Sequence, residues 1–261
     1  MKKEVAIKAA SNELAITEGF TFGSENIIST DIRIPKILLV NQMSKIVSKP
    51  EFNARPGELR ESFEGSKFGD VKNPIQVIPF YMKNTWTVKK MKNGKMEYYA
   101  SQDRAGTDTD RPYEDKDADG VPMTNHKVMN LFVLVRGQDL SIPYMVSFMN
   151  KSFRLAAQPY LNKTKLLEPS GKQPPHIVWN LGSFFVEDDP KGKYYAFTLG
   201  AAKDESGKDI PTTTEELRAA VDQYKSITGH LKKGGKIDMS DVEDTETVTS
   251  DKTTSTEDVP F

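Results

Sequence analysis

The chain has 261 residues, no cysteine and three histidines, which excludes disulfide scaffolds, thiolate metal sites and His-built metal centres. Hydrophobic residues make up only 37%, and no stretch approaches the roughly eighteen uninterrupted apolar residues of a membrane span. The formal charge of −1 hides a split. Residues 237–261 hold eight of the 37 acids against one of the 36 bases, net −7, which leaves 35 bases against 29 acids, net +6, for the rest.

No apolar run follows Lys2-Lys3, so no signal peptide is expected and the chain reads as cytoplasmic. Residues 1–69 read as an N-terminal extension packed on the domain that begins at residue 70, with Ile34–Val40 as a candidate strand and a turn-rich stretch from Ala54. Ile75–Val88 predicts one long strand, bulged or at an edge because Pro79 interrupts it. Lys92-Asn93-Gly94-Lys95 predicts a type I′ hairpin turn into Met96–Ala100. Residues 101–125 read as a long polar loop. Two further hairpins are predicted, Met129–Arg136 with Leu140–Met149, and Ile177–Glu187 with Lys193–Ala201. Between them, 151–158 predicts a short helix that Pro159 ends or kinks.

The clearest helix is 213–228. Thr213 and Glu216 have capping-box spacing, and Leu217, Ala220, Val221, Tyr224 and Ile227 recur on one inward face before Gly229 stops it. Three strands, a helix, two strands and a closing helix match a mainly β (α+β) fold, an OB-like five-stranded Greek-key barrel with an added hairpin. That domain spans 70–230. Residues 231–261 read as a hinge and a disordered acidic tail, too poor in apolar residues to offset the entropy of ordering.

The tail closes on Glu257-Asp258-Val259-Pro260-Phe261. Acids before an apolar residue, Pro and Phe resemble the C-terminal tip of single-stranded DNA-binding proteins of bacteria and their phages, and the length is more similar to phage-encoded members. The resemblance implies a tip that recruits replication or recombination proteins, and a body that binds single-stranded DNA. A Phe entering an apolar pocket, with acids steering toward basic residues, is sound chemistry for such a tip.

The DNA-contacting residues follow from chemistry alone, because a single strand needs a basic groove with aromatic faces for stacking. One candidate set is Trp86, Lys89, Lys90, Lys92, Lys95, Tyr98 and Tyr99. A second is Lys191, Lys193, Tyr194 and Tyr195, where alternation turns one tyrosine inward, and Arg136, Lys151 and Arg154 are candidate phosphate contacts. Trp179, Phe184 and Phe185 read as core.

Asp115-Lys116-Asp117-Ala118-Asp119-Gly120 has the opening of a calcium loop, but His126 stands where the twelfth-position Glu belongs, so it reads as a solvated acidic loop. No phosphate loop, Gly-x-Ser-x-Gly or His-Glu-x-x-His motif occurs, and no enzyme, cofactor or metal is expected. The resulting expectation is sequence-independent binding and protection of single-stranded DNA, with self-association as an open possibility. The alternative is a phage accessory or structural protein whose acidic tail only keeps it in solution.

Overall fold

A computed structural model describes residues 34–42, 44, 46–47, 49–103, 111–187, 192–232 and 237. The 18-residue strand β4 (Ile75–Lys92) organises the larger of two sheets. One edge pairs antiparallel with β7 (Pro122–Val135), from Val77↔Val135 to Lys90↔Met123. The other edge is shared, with β9 (Trp179–Val186) on Ile75–Val77 and β5 (Lys95–Asp103) on Thr85–Lys92. The far edge of β7 carries β8 (Tyr144–Met149) and the short β6 (Glu114–Lys116), and β10 (Tyr194–Ala201) lies outside β9.

Local chemistry sets these strands. Asn93 and Gly94 take φ of 50° and 76°, the two left-handed residues of a type I′ turn. The register slips between Pro79 and Tyr81, so a bulge absorbs the proline, as its missing N–H requires. β4 is nevertheless central and not an edge strand.

The sheet curls around one apolar core. Val77, Met129, Leu131, Val146, Phe148, Trp179 and Phe197 meet there, all nearly or fully buried. A smaller sheet of β1 (Ile37–Leu39), β2 (Leu59–Glu61) and β3 (Lys67–Gly69) adds Ile37, Leu39 and Leu59 to the same core. Met145 of β8 donates its N–H to Pro35 O at 2.9 Å, and Tyr195 of β10 donates to Asn41 Oδ1 at 2.6 Å. Residues flanking β1 therefore tie to both β8 and β10, which are not paired with each other.

The predicted short helix is longer than expected. It opens at Asn150–Ser152, passes through a π-helical stretch at Phe153–Ala157 and continues as α1 (Gln158–Leu167), straight through Pro159. The widened turn closes with the Gln158 N–H on Phe153 O, so Pro159 starts a fresh α-helical run where no N–H is needed.

α2 (Thr214–Lys232) also outruns its expected end at Gly229. Its capping box forms, with Glu216 N–H on Thr213 Oγ1 at 3.2 Å and Thr213 N–H on Glu216 Oε2 at 2.7 Å. Ala220 and Ile227 pack with Ile78, Phe80 and Phe132 on the outer face of the sheet. Val221 and Tyr224, expected inward, are 42% and 47% exposed.

Within the expected loop 101–125, the described residues include strand at 101–103, 114–116 and 122–125. β5 runs to Asp103, and β6 pairs with the first three residues of β7, Pro122–Thr124, across the turn at Asp117–Gly120. The charged run at 115–120 thus lies on a sheet edge, where no core demands apolar alternation. Among the described residues no group of His, Asp or Glu could hold a metal, and no helix is long and apolar enough to cross a membrane. The acidic-tail expectation lies outside the described residues, Ile237 apart.

Candidate nucleic-acid interface

The β4–β5 arm carries the first candidate set. Between Val88↔Ala100 and Lys89↔Tyr98 the pairing skips Tyr99, so Tyr99 is the extra residue of a second bulge. A bulge re-aims a side chain. Here the Tyr99 ring, 57% exposed, lies over Lys90 with the ammonium 3.7 Å from its centre. Lys90 also contacts Asp117 Oδ2 at 3.0 Å. The hydrogen bond from Lys90 holds the Asp117 carboxyl below the usual range, and the same bond raises the Lys90 ammonium. Lys92 is well exposed and 3.6 Å from Glu97. Lys95 and Tyr98 are placed by backbone only, opposite Lys92 and Lys89.

Two members of that set are not surface groups. Trp86 is 1% exposed, and its ring faces the guanidinium of Arg111 at 5.9 Å and the ammonium of Lys127 at 5.8 Å. A ring enclosed in this way offers no face to a base, so Trp86 supports the arm. Lys89 is likewise buried.

The second set lies at the other end of the sheet. Since Ile75 pairs with Leu181 and β9 then runs past the start of β4, the β9–β10 turn and the arm tip lie toward opposite ends of β4. Lys193 is exposed and Tyr194 is buried against Val186 and Ala196. Tyr195 is half-buried, its ring centre 5.0 Å from that of Phe185. Lys191 lies outside the described residues, as do Glu257, Asp258, Val259, Pro260 and Phe261.

Phe184 and Phe185, expected in the core, are 54% and 36% exposed. They stand where β9 has outrun β4, and among the described residues no strand pairs with them on that side. Adjacent aromatics in a strand cannot both face one core, which is the signal that exposes at least one. Tyr113, also exposed, packs edge-on against His126 at 5.2 Å and had no sequence signal.

The phosphate candidates divide. Arg136 is committed to Glu216, Nε to Oε1 at 2.7 Å, and to Gln76 Oε1 at 3.2 Å. Lys151 is half-buried and Arg154 exposed on the helical run after β8. Exposed tyrosines and phenylalanines beside lysines can stack bases and meet phosphates, at two places along one sheet.

A family model described as Pam3 phage gp34-like protein matches residues 2–233. The chain belongs to that family. It is a phage protein, and the matched span covers both sheets and both helices and stops before the acidic segment 237–261. No curated protein and no solved structure matches the chain.

Proposed function

We propose that this phage protein binds single-stranded DNA largely without sequence preference and protects it during replication or recombination. The observation that carries the reading is strand connectivity. The order β8–β7–β4–β9–β10, with the helical run placed between β8 and β9, has the succession of an OB barrel whose five core strands are β4, β7, β8, β9 and β10. β1 lies between the two strands at the ends of that order, through Pro35 and Asn41.

OB folds bind oligonucleotides on the face of their second and third strands and with the loops that follow their first and fourth strands. In this chain those positions correspond to the β4–β5 arm with Tyr99, to Tyr113 before β6, and to the β9–β10 turn with Lys193, Phe185 and Tyr195. The charge split supports the same reading, since a body of +6 attracts phosphate and an acidic segment of −7 competes for it. Released from the body, the residues 257–261 would meet replication or recombination proteins.

The test is fluorescence anisotropy of a labelled oligo-dT titrated with the full chain across a salt series. Binding that weakens steeply with salt supports the reading, with a log–log slope of about −0.7 per neutralised phosphate. No binding at low salt would reject it and leave the accessory-protein alternative in front.

A further inference from the structure

An open groove of about 390 Å³ runs between the two helices, over a bare stretch of β4. Its floor is Pro79–Met82. Successive strand residues point to opposite faces, so a cavity touching four in a row looks onto the strand's edge. That edge is open: among the described residues no strand pairs with β4 between Val77, where β9 stops, and Thr85, where β5 begins. Tyr160 and Leu161 of α1 form one wall, and Val221 and Tyr224 of α2 the other.

No lining residue is charged, and the charged positions that flank them in the chain are mostly basic. The positions next in sequence to lining residues include Lys83, Lys163, Lys165, Lys172 and Lys225, against Asp222 as the sole acid. Lys163 is engaged by Asp209 at 2.8 Å, whereas Lys165, Lys172 and Lys225 are exposed. The fitting occupant is an extended segment with a few apolar side chains and acids directly beside them.

We propose that this groove holds the chain's own Val259-Pro260-Phe261, with Glu257 and Asp258 drawn toward the exposed lysines that flank its lining residues in the chain. Beyond Ile237 this is the one run of three apolar residues, and Phe261 is the one aromatic. Ile237 packs against the same cluster as Ala220 and Ile227, so the segment departs from the side of the molecule where the groove lies. Tyr224 lies eight residues before the end of α2, about 12 Å along its axis. The 22 residues from Ile237 to Val259 span up to about 75 Å, so the covalent tether reaches with slack. Tethering also raises the local concentration of the segment, so a weak contact suffices. Docked this way, the apolar residues are covered until a competing partner draws them off.

The absence of native cysteine makes the test clean. A spin label on Ser255→Cys in the full chain, without nucleic acid, should broaden the NMR signals of Tyr81, Leu161, Val221 and Tyr224. Phe261→Ser should abolish that broadening and leave the rest of the spectrum unchanged, and Tyr224→Glu should abolish it from the groove side. Groove signals that stay sharp, or broadening that survives Phe261→Ser, would overturn the proposal. Broadening seen only between a labelled and an isotope-enriched copy would also overturn it, in favour of a second copy's segment. Because no DNA is present, the result is independent of whether the chain binds DNA.

Discussion

Arg136 at the end of β7 and Glu216 in the first turn of α2 are joined by a 2.7 Å contact, and the same carboxylate closes the α2 capping box on the Thr213 N–H. One side chain therefore caps a helix and pins it to the sheet. Glu216 is buried and Arg136 half-buried, so removing the acid strands a cation with little access to water. Glu216→Ala should cost about 2–3 kcal/mol in urea unfolding, and Glu216→Gln less, because it keeps an acceptor for the cap. Equal costs for the two would show that the cap acceptor contributes nothing and that the ion pair carries the whole effect.

Acid should unfold the β2–β3 region early. Asp70 is pulled down to about 2, first by its hydrogen bond from Lys67 and then by N–H groups of Asn73 and Lys72. Burial pushes Glu58 up, but bonds from Arg55, Arg60 and Lys67 outweigh it and the net shift is downward. Both carboxyls titrate below their unfolded values, so each contributes stability fully above about pH 4 and loses it as pH falls through the folded value. Unfolding free energy should therefore drop between about pH 4 and pH 2. Asp70→Asn should flatten that slope, and an unchanged slope would reject the assignment.

What the sequence disclosed was what local chemistry decides. Asn93-Gly94 can hardly be anything but a tight turn, Pro79 had to bulge its strand or stand at an edge, and Thr213 with Glu216 announced a helix start. What stayed hidden depends on partners distant in sequence. Trp86 lies among lysines and reads as a stacking residue, yet Arg111 and Lys127 enclose it from other segments. Phe184 and Phe185 are exposed because β9 outruns β4, a register fact. Tyr99 owes its position to a bulge that no residue type signals.

Two glycines should respond unequally to substitution. A Cβ on Gly69 would sit 2.5 Å from the backbone oxygen of Asn73, in a turn held by Asp70. At Gly94 a Cβ meets nothing within 4 Å, and only its φ of 76° resists. Gly94→Ala should then cost about 1–2 kcal/mol, the local cost of a left-handed residue. Gly69→Ala should cost more, since backbone must move. Thermal melts that rank them the other way would show that the turn at Asn73 yields freely.

The DNA reading makes its sharpest statement at Tyr99. Its ring is open to solvent and already carries the Lys90 ammonium on one face, leaving the other for a base. Tyr99→Ala should weaken oligo-dT binding by about 1–3 kcal/mol, the usual worth of one stacked base, whereas Tyr99→Phe should bind nearly as the parent does. Trp86→Ala should instead lower the melting temperature, since its ring is enclosed. Lys92→Gln and Lys193→Gln should each flatten the salt slope by about 0.7 if each meets a phosphate. Arg136→Gln should leave that slope alone, its guanidinium being held by Glu216. A flattened slope for Arg136→Gln with none for Lys92→Gln would move the binding surface away from the arm and toward the start of α2.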